Sequence, residues 1–114
     1  MRKIDKPWGY ELVWAETSRY VGKVLAIRAG ERLSLQYHRV KDESILVAKG
    51  LMDLEVEEDG RMGTRRMKPG DTYHVVPGQK HRMIGVEDTE VIEVSTPELD
   101  DVVRLEDRYG RVGR

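Results

Sequence analysis

The 114-residue chain contains no cysteine and no phenylalanine. The first absence excludes disulfide bridges and thiolate metal centres alike. The second leaves Leu, Val, Met, Tyr and Trp to fill the core. An excess of one charge is also missing. Twenty Lys and Arg face 21 Asp and Glu, the two signs are interspersed and the net charge is −1, so the basic patch that nucleic-acid binding needs is absent. No apolar run approaches the roughly 18–20 residues of a membrane span. The first residues, MRKIDKPWGYELVW, lack the apolar stretch of a secretory signal. These absences predict a cytoplasmic protein without membrane or nucleic-acid partners. The length predicts one domain over residues 1–114, with one modest core.

What is present is frequent punctuation. Gly occurs singly at short intervals, at Gly9, Gly22, Gly30, Gly50, Gly60, Gly70, Gly78 and Gly85 among others, and the segments between are short and often alternate. VGKVLAI, RLSLQYH, LMDLEVE, TYHVV, HRMIGV and TEVIEVST read as strands. SILVAKG is mostly apolar and predicts a strand buried on both faces, while EDGR predicts a hairpin turn, because Asp-Gly supplies the positive φ that tight turns need. About eight short strands with turns every 8–12 residues predict an all-β sandwich or barrel. The end departs from this pattern. In PELDDVVRLEDRYGR, Val102, Leu105 and Tyr109 stand at helical spacing, which predicts a short C-terminal helical segment stopped by Gly110.

The chemistry concentrates in RLSLQYHRVKDE. On a strand, residues i and i+2 share a face, so Gln36 and His38 point the same way, with Leu33, Leu35 and Tyr37 on the other face. Glu43 begins the next strand, and His81 follows the turn VPGQK. Taken singly, each has an ordinary surface reading. Together, one Gln, two His and one Glu supply a donor set suited to Zn²⁺, Fe²⁺, Mn²⁺ or Ni²⁺. A cavity without metal is the alternative at this point.

The spacing runs Gly30, five residues, Gln36, one residue, His38, four residues, Glu43, six residues, Gly50. A second run, Gly70 to Gly85, contains Val76-Pro77-Gly78, two residues and His81. The two runs, over residues 30–50 and 70–85, resemble the paired motifs of the cupin superfamily. Gln36 takes the place of the usual first His, Pro77 is displaced by one position, and Gly85 stands for the usual Asn. The resemblance implies a small jelly-roll β-barrel. The flanks KPWGYELVW, LSLQYH and DDVVRLEDRYGR further resemble type II mannose-6-phosphate isomerases, the domain that also ends bifunctional mannose-1-phosphate guanylyltransferase/isomerases. In that family Gln is usual at the position of Gln36. The nucleotidyltransferase domain has no counterpart in this chain. The usual His-rich turn after the motif His is replaced by Arg39-Val40-Lys41-Asp42.

The resemblance implies interconversion of mannose 6-phosphate and fructose 6-phosphate through an enediol. It would use one divalent ion, Zn²⁺ first and Mn²⁺, Fe²⁺, Co²⁺ or Ni²⁺ otherwise, on Gln36, His38, Glu43 and His81. An isomerase of this kind needs an electrophile and a base. His74 is a candidate base, against a packed strand histidine. Lys41 is another, against an exposed turn lysine. Arg104 and Arg108 match the family's closing motif and are the expected phosphate ligands, because arginine's planar fork suits phosphate; Arg104 also counts among the expected catalytic residues. On a helix, Arg104, Arg108 and Arg111 would share one stripe. A homodimer is expected through Trp8, Tyr10, Leu12 and Trp14, which alternate as an interface strand would. Two other readings compete: a metal-dependent cupin oxygenase acting on a small organic substrate, and a non-catalytic domain that holds a sugar or other small ligand.

Overall fold

The structure is a computed structural model, and residues 1–112 are described. It is all-β, and no helix among those residues is long and apolar enough to cross a membrane. In chain order the strands are β1 (Arg2–Lys6), β2 (Gly9–Glu16), β3 (Val21–Ile27), β4 (Leu35–Tyr37), β5 (Glu43–Lys49), β6 (Met52–Glu58), β7 (Arg61–Met67), β8 (Thr72–Val75), β9 (His81–Gly85), β10 (Thr89–Ser95) and β11 (Val103–Glu106). They form two antiparallel sheets, one ordered β1-β2-β3-β10-β5-β8 and the other β11-β4-β9-β6-β7.

Alternation decides which side chains fill the space between the sheets. Leu25 and Ile27 of β3, Ile45 and Val47 of β5, and Val91 of β10 enter from one side; Met52, Leu54 and Val56 of β6 with Met83 of β9 enter from the other. β5 is buried on one face only. Leu46 is 36% exposed, so its apolar run does not mark a doubly covered strand. The hairpin between β6 and β7 turns on Asp59 and Gly60, both at positive φ, as EDGR predicts. On the outer face Trp14 lies across Gly22, where a Cβ would stand 2.6 Å from the indole. Any side chain at position 22 would displace that ring.

Three further expectations about the fold need correction. The C-terminal segment is not helical. Val103 and Arg104 pair with Tyr37 and Gln36 as a strand, and a turn at Gly110 follows. β4 is three residues long and pairs with β9 on its other side. Its second edge would leave buried backbone groups unpaired, and that demand overrides the local helical spacing. The arginine stripe is therefore lost. Second, β4 begins only at Leu35. Leu33 precedes it, is buried and faces the cavity with Ser34, rather than sharing an outer face with Tyr37. Third, Trp8 is buried in the core instead of continuing the row of half-buried Tyr10 and Leu12 and exposed Trp14.

Candidate active site

His38 follows β4, Glu43 opens β5 and His81 opens β9, so three strand ends from two sheets meet at one point. Glu43 Oε1 lies 2.8 Å from His38 Nε2 and 3.2 Å from His81 Nε2. The ring centroids of the two histidines are 5.2 Å apart. All three side chains are almost wholly buried.

The other ring nitrogens settle the tautomers. His38 Nδ1 donates to the Asp101 carbonyl at 2.6 Å, and His81 Nδ1 donates to the Gln79 carbonyl at 2.9 Å. A carbonyl only accepts, so each Nδ1 carries its proton and Nε2 is the ring nitrogen turned inward, the one that would ligate an ion. Each acceptor residue is itself fixed. The Asp101 carboxylate takes the backbone N–H groups of Arg39, Val40 and Lys41, and the Gln79 amide donates to the Glu57 carbonyl and the Tyr73 hydroxyl. Gly78 N donates to the His38 carbonyl at 2.6 Å, which ties the second motif's turn to the first motif. Two imidazole nitrogens and a carboxylate oxygen thus converge within 4.8 Å, and His81 Nε2 is buried without a hydrogen-bond partner. Three acceptors facing one another fit a cation. Carbonyl partners on the outer ring nitrogens are the usual support of metal-ligating histidines.

Two further acids and bases complete the cluster. Glu93 of β10 lies on the inward face, between Lys23 and Ile45 in register. Burial pushes its carboxyl well above the usual range, and the Glu43 charge pushes it further. Burial acts on Glu43 in the same direction, but the hydrogen bond from Glu93 and the Lys41 charge outweigh it and hold Glu43 well below the usual range. Glu93 is therefore the protonated member and Glu43 the anion. Lys41 is buried, 3.4 Å from Glu93 and 3.9 Å from Glu43. Burial opposes its charge, but Glu93 and Glu43 raise its proton affinity overall.

The cluster borders a cavity of about 220 Å³ whose wall includes Gln36, His38, Lys41, Glu93 and Arg104. Gln36 Oε1 accepts the Ser34 hydroxyl at 2.7 Å, and Gln36 is the ladder neighbour of both His81 and Arg104. Two expected site residues lie elsewhere. His74 is exposed on the outer face opposite Ser44, with Nε2 2.6 Å from Asp42, because the alternation of β8 turns Tyr73 and Val75 inward. Arg108 bonds the Gly30 carbonyl at 2.8 Å, outside the cavity. Sequence reasoning missed Glu93 and Lys6, and placed Arg111 only on the helical stripe; all three line the cavity. For Glu93 the only signal was an acid inside the apolar strand TEVIEVS.

Comparison with known proteins places this geometry. The family profile described as "Mannose-6-phosphate isomerase C-terminal" matches residues 1–107. The mannose-1-phosphate guanylyltransferase of Escherichia coli (strain K12) is 32% identical over 117 residues, covering 97% of this chain but only 23% of that protein. The alginate biosynthesis protein AlgA of Pseudomonas aeruginosa is 30% identical over 115 residues, 96% of this chain and 23% of its own length. The chain thus spans about a quarter of the length of these curated relatives. Among solved structures, KdgF from Halomonas sp. superposes with a TM-score of 0.75 at 21% identity, covering 88% of this chain and 91% of that one. An RmlC-like cupin from Shewanella frigidimarina superposes with a TM-score of 0.71 at 15% identity, covering 87% and 86%. The second likeness shows the cupin fold.

Proposed function

Since the chain belongs to the mannose-6-phosphate isomerase C-terminal family and has the cupin fold, we propose that it is a metal-dependent aldose–ketose isomerase of sugar phosphates, acting between mannose 6-phosphate and fructose 6-phosphate. The observation that carries this reading is the convergence of His38 Nε2, His81 Nε2 and Glu43 Oε1 on one buried point beside a cavity lined by cations. Gln36, His38, Glu43 and His81 would hold the ion. Two imidazoles and a carboxylate favour Zn²⁺, with Mn²⁺, Fe²⁺, Co²⁺ and Ni²⁺ as the other fitting ions. When bound, such an ion supplies Lewis-acid stabilisation of charge developing on the sugar oxygens.

The chain's own groups do the rest. Asp101 and Gln79 keep both imidazoles in the ligating tautomer. Glu93 holds Lys41 at the cavity wall. Because Lys41 binds its proton tightly, its role is to donate a hydrogen bond or proton to a sugar oxygen as the enediol forms, and it does not serve as the base that removes the C2 proton. Arg104, on the same wall as Gln36, attracts the phosphate. His74 and Arg108, which face away from the cavity, have no part in this reading.

A second reading, a domain that binds a sugar without turning it over, is favoured by one observation. Glu11, Glu43 and Glu93, three of the four carboxylates at the cavity and its cluster, are each engaged with a partner. The deciding experiment strips the protein of metal, reloads it with each ion and follows mannose 6-phosphate. Ion-dependent fructose 6-phosphate, lost in His38→Ala, is the expected result. A folded, ion-loaded protein that binds the sugar phosphate but yields no product overturns the isomerase in favour of the binding domain.

A further inference from the structure

The cavity extends beyond the His38–Glu43–His81 cluster to β1, whose residues Arg2, Ile4 and Lys6 lie on its wall. The cations around this region differ in how they are balanced. Arg2 pairs with Glu16 at 2.9 Å, Lys23 with Glu11 at 3.2 Å, and Arg111 with both carboxylate oxygens of Asp107 at 2.8 and 3.0 Å. Lys6 is half-buried, and its ammonium makes no hydrogen bond or ion pair with any of the described residues. Burial lowers its proton affinity. Glu11 pulls the other way, and the charges of Lys23, Arg104 and Arg111 lower it again. A partly desolvated ammonium among like charges is an unfavourable arrangement that a multiply charged anion relieves.

We propose that Lys6, together with Arg104 and Arg111, forms an anion subsite of the cavity that takes the phosphoryl group of a phosphorylated sugar. Arg111, whose Nε and Nη2 are held by Asp107, and Arg104 add positive charge beside the point charge of Lys6, a combination that favours a dianion over a single carboxylate. The assignment rests on the sugar-phosphate reading above and deepens it. It moves the phosphate contact from the family's closing motif alone to a site that β1 helps to build. Arg108 is excluded from it, and Lys6 and Arg111 are added.

The test uses inorganic phosphate as the probe, by calorimetry on the full chain, with and without a chelator. Wild-type protein is expected to bind phosphate in both conditions, more weakly as salt rises. Lys6→Gln is expected to weaken binding tenfold or more, and Lys6→Arg to restore most of it. Lys3→Gln, on the exposed face of the same strand, is expected to change nothing. Phosphate binding that disappears with chelator, or that falls equally in Lys3→Gln and Lys6→Gln, overturns the subsite. The isomerase reading fails separately. Mannose 6-phosphate that binds in a Lys6-dependent manner without turnover keeps the subsite and sinks the isomerase. Turnover with a KM unchanged in Lys6→Gln sinks the subsite and keeps the isomerase.

Discussion

Asp101 holds His38 by one group and the turn after His38 by another. Its main-chain carbonyl accepts the His38 Nδ1 proton at 2.6 Å. Its carboxylate accepts the N–H groups of Arg39, Val40 and Lys41 at 3.0, 2.7 and 2.8 Å. The residue thus fixes the tautomer of a candidate ligand and the turn that brings Lys41 into the cavity.

Replacing Asp101 by Asn keeps the carbonyl but turns an NH₂ group towards at least one of three N–H donors. Charge-assisted hydrogen bonds are each worth about 1.5–3 kcal/mol, and partial solvent exposure reduces this, so a loss of about 1–2 kcal/mol is expected in denaturant melts. The pH dependence follows in sign. The three N–H donors depress the Asp101 carboxyl from 3.8 to about 2. A depressed folded value stabilises the fold above the unfolded value, and that contribution fades as pH falls from about 4 towards 2. Melts at pH 6 and pH 2.5 should differ less in Asp101→Asn than in wild type. An unchanged difference would remove Asp101 from the account.

Metal removal gives a second measurable outcome. An ion that binds only the folded state adds about 2.7 kcal/mol of stability at a hundredfold excess over its Kd. Zn²⁺ added to chelator-treated protein should therefore raise Tm, and His38→Ala with His81→Ala should abolish the rise. An equal rise in that double variant would place the ion elsewhere.

Much of this architecture was legible because its signals are local. Asp-Gly at the β6–β7 hairpin acts within four residues, and His38, Glu43 and His81 sit at strand ends that turns define. What the chain order hides is register across sheets. Whether Glu93 faces in or out depends on pairing with β3 and β5, residues 23 and 45. Whether residues 103–106 form helix or strand depends on the open edge of β4. Lys6 and Arg111 are almost the whole chain apart, and only the closed fold puts them on one cavity.

The proton shared within the Glu43–Glu93 pair separates two substitutions that look alike. Glu93 is the neutral member, and Gln has the shape and neutrality of a protonated Glu, so Glu93→Gln should change stability by less than about 1.5 kcal/mol, as shape-conserving buried swaps do. Glu43 is the anion facing Lys41 and both histidines. Glu43→Gln leaves Lys41 buried without its charge partner and should cost about 3–5 kcal/mol. Equal losses in chemical denaturation would mean that the proton is not held on Glu93.

The homodimer expected from the alternation of Tyr10, Leu12 and Trp14 would meet on the outer face of the six-stranded sheet. Register aligns Leu12, Val24, Ile92 and Leu46 in one row across β2, β3, β10 and β5, with no charge among them. Trp14 and Val94, at 49% and 47% exposure, flank it. Contiguous apolar surface of this kind is uncommon on monomers. A row near the middle of a sheet can meet its own copy across a twofold axis without like charges opposing. Light scattering should give twice the chain mass, and Leu46→Lys with Val94→Lys should halve it while melts still show a folded protein. A wild-type monomer at high micromolar concentration would rule the interface out. A dimer indifferent to both lysines would move the interface to another face.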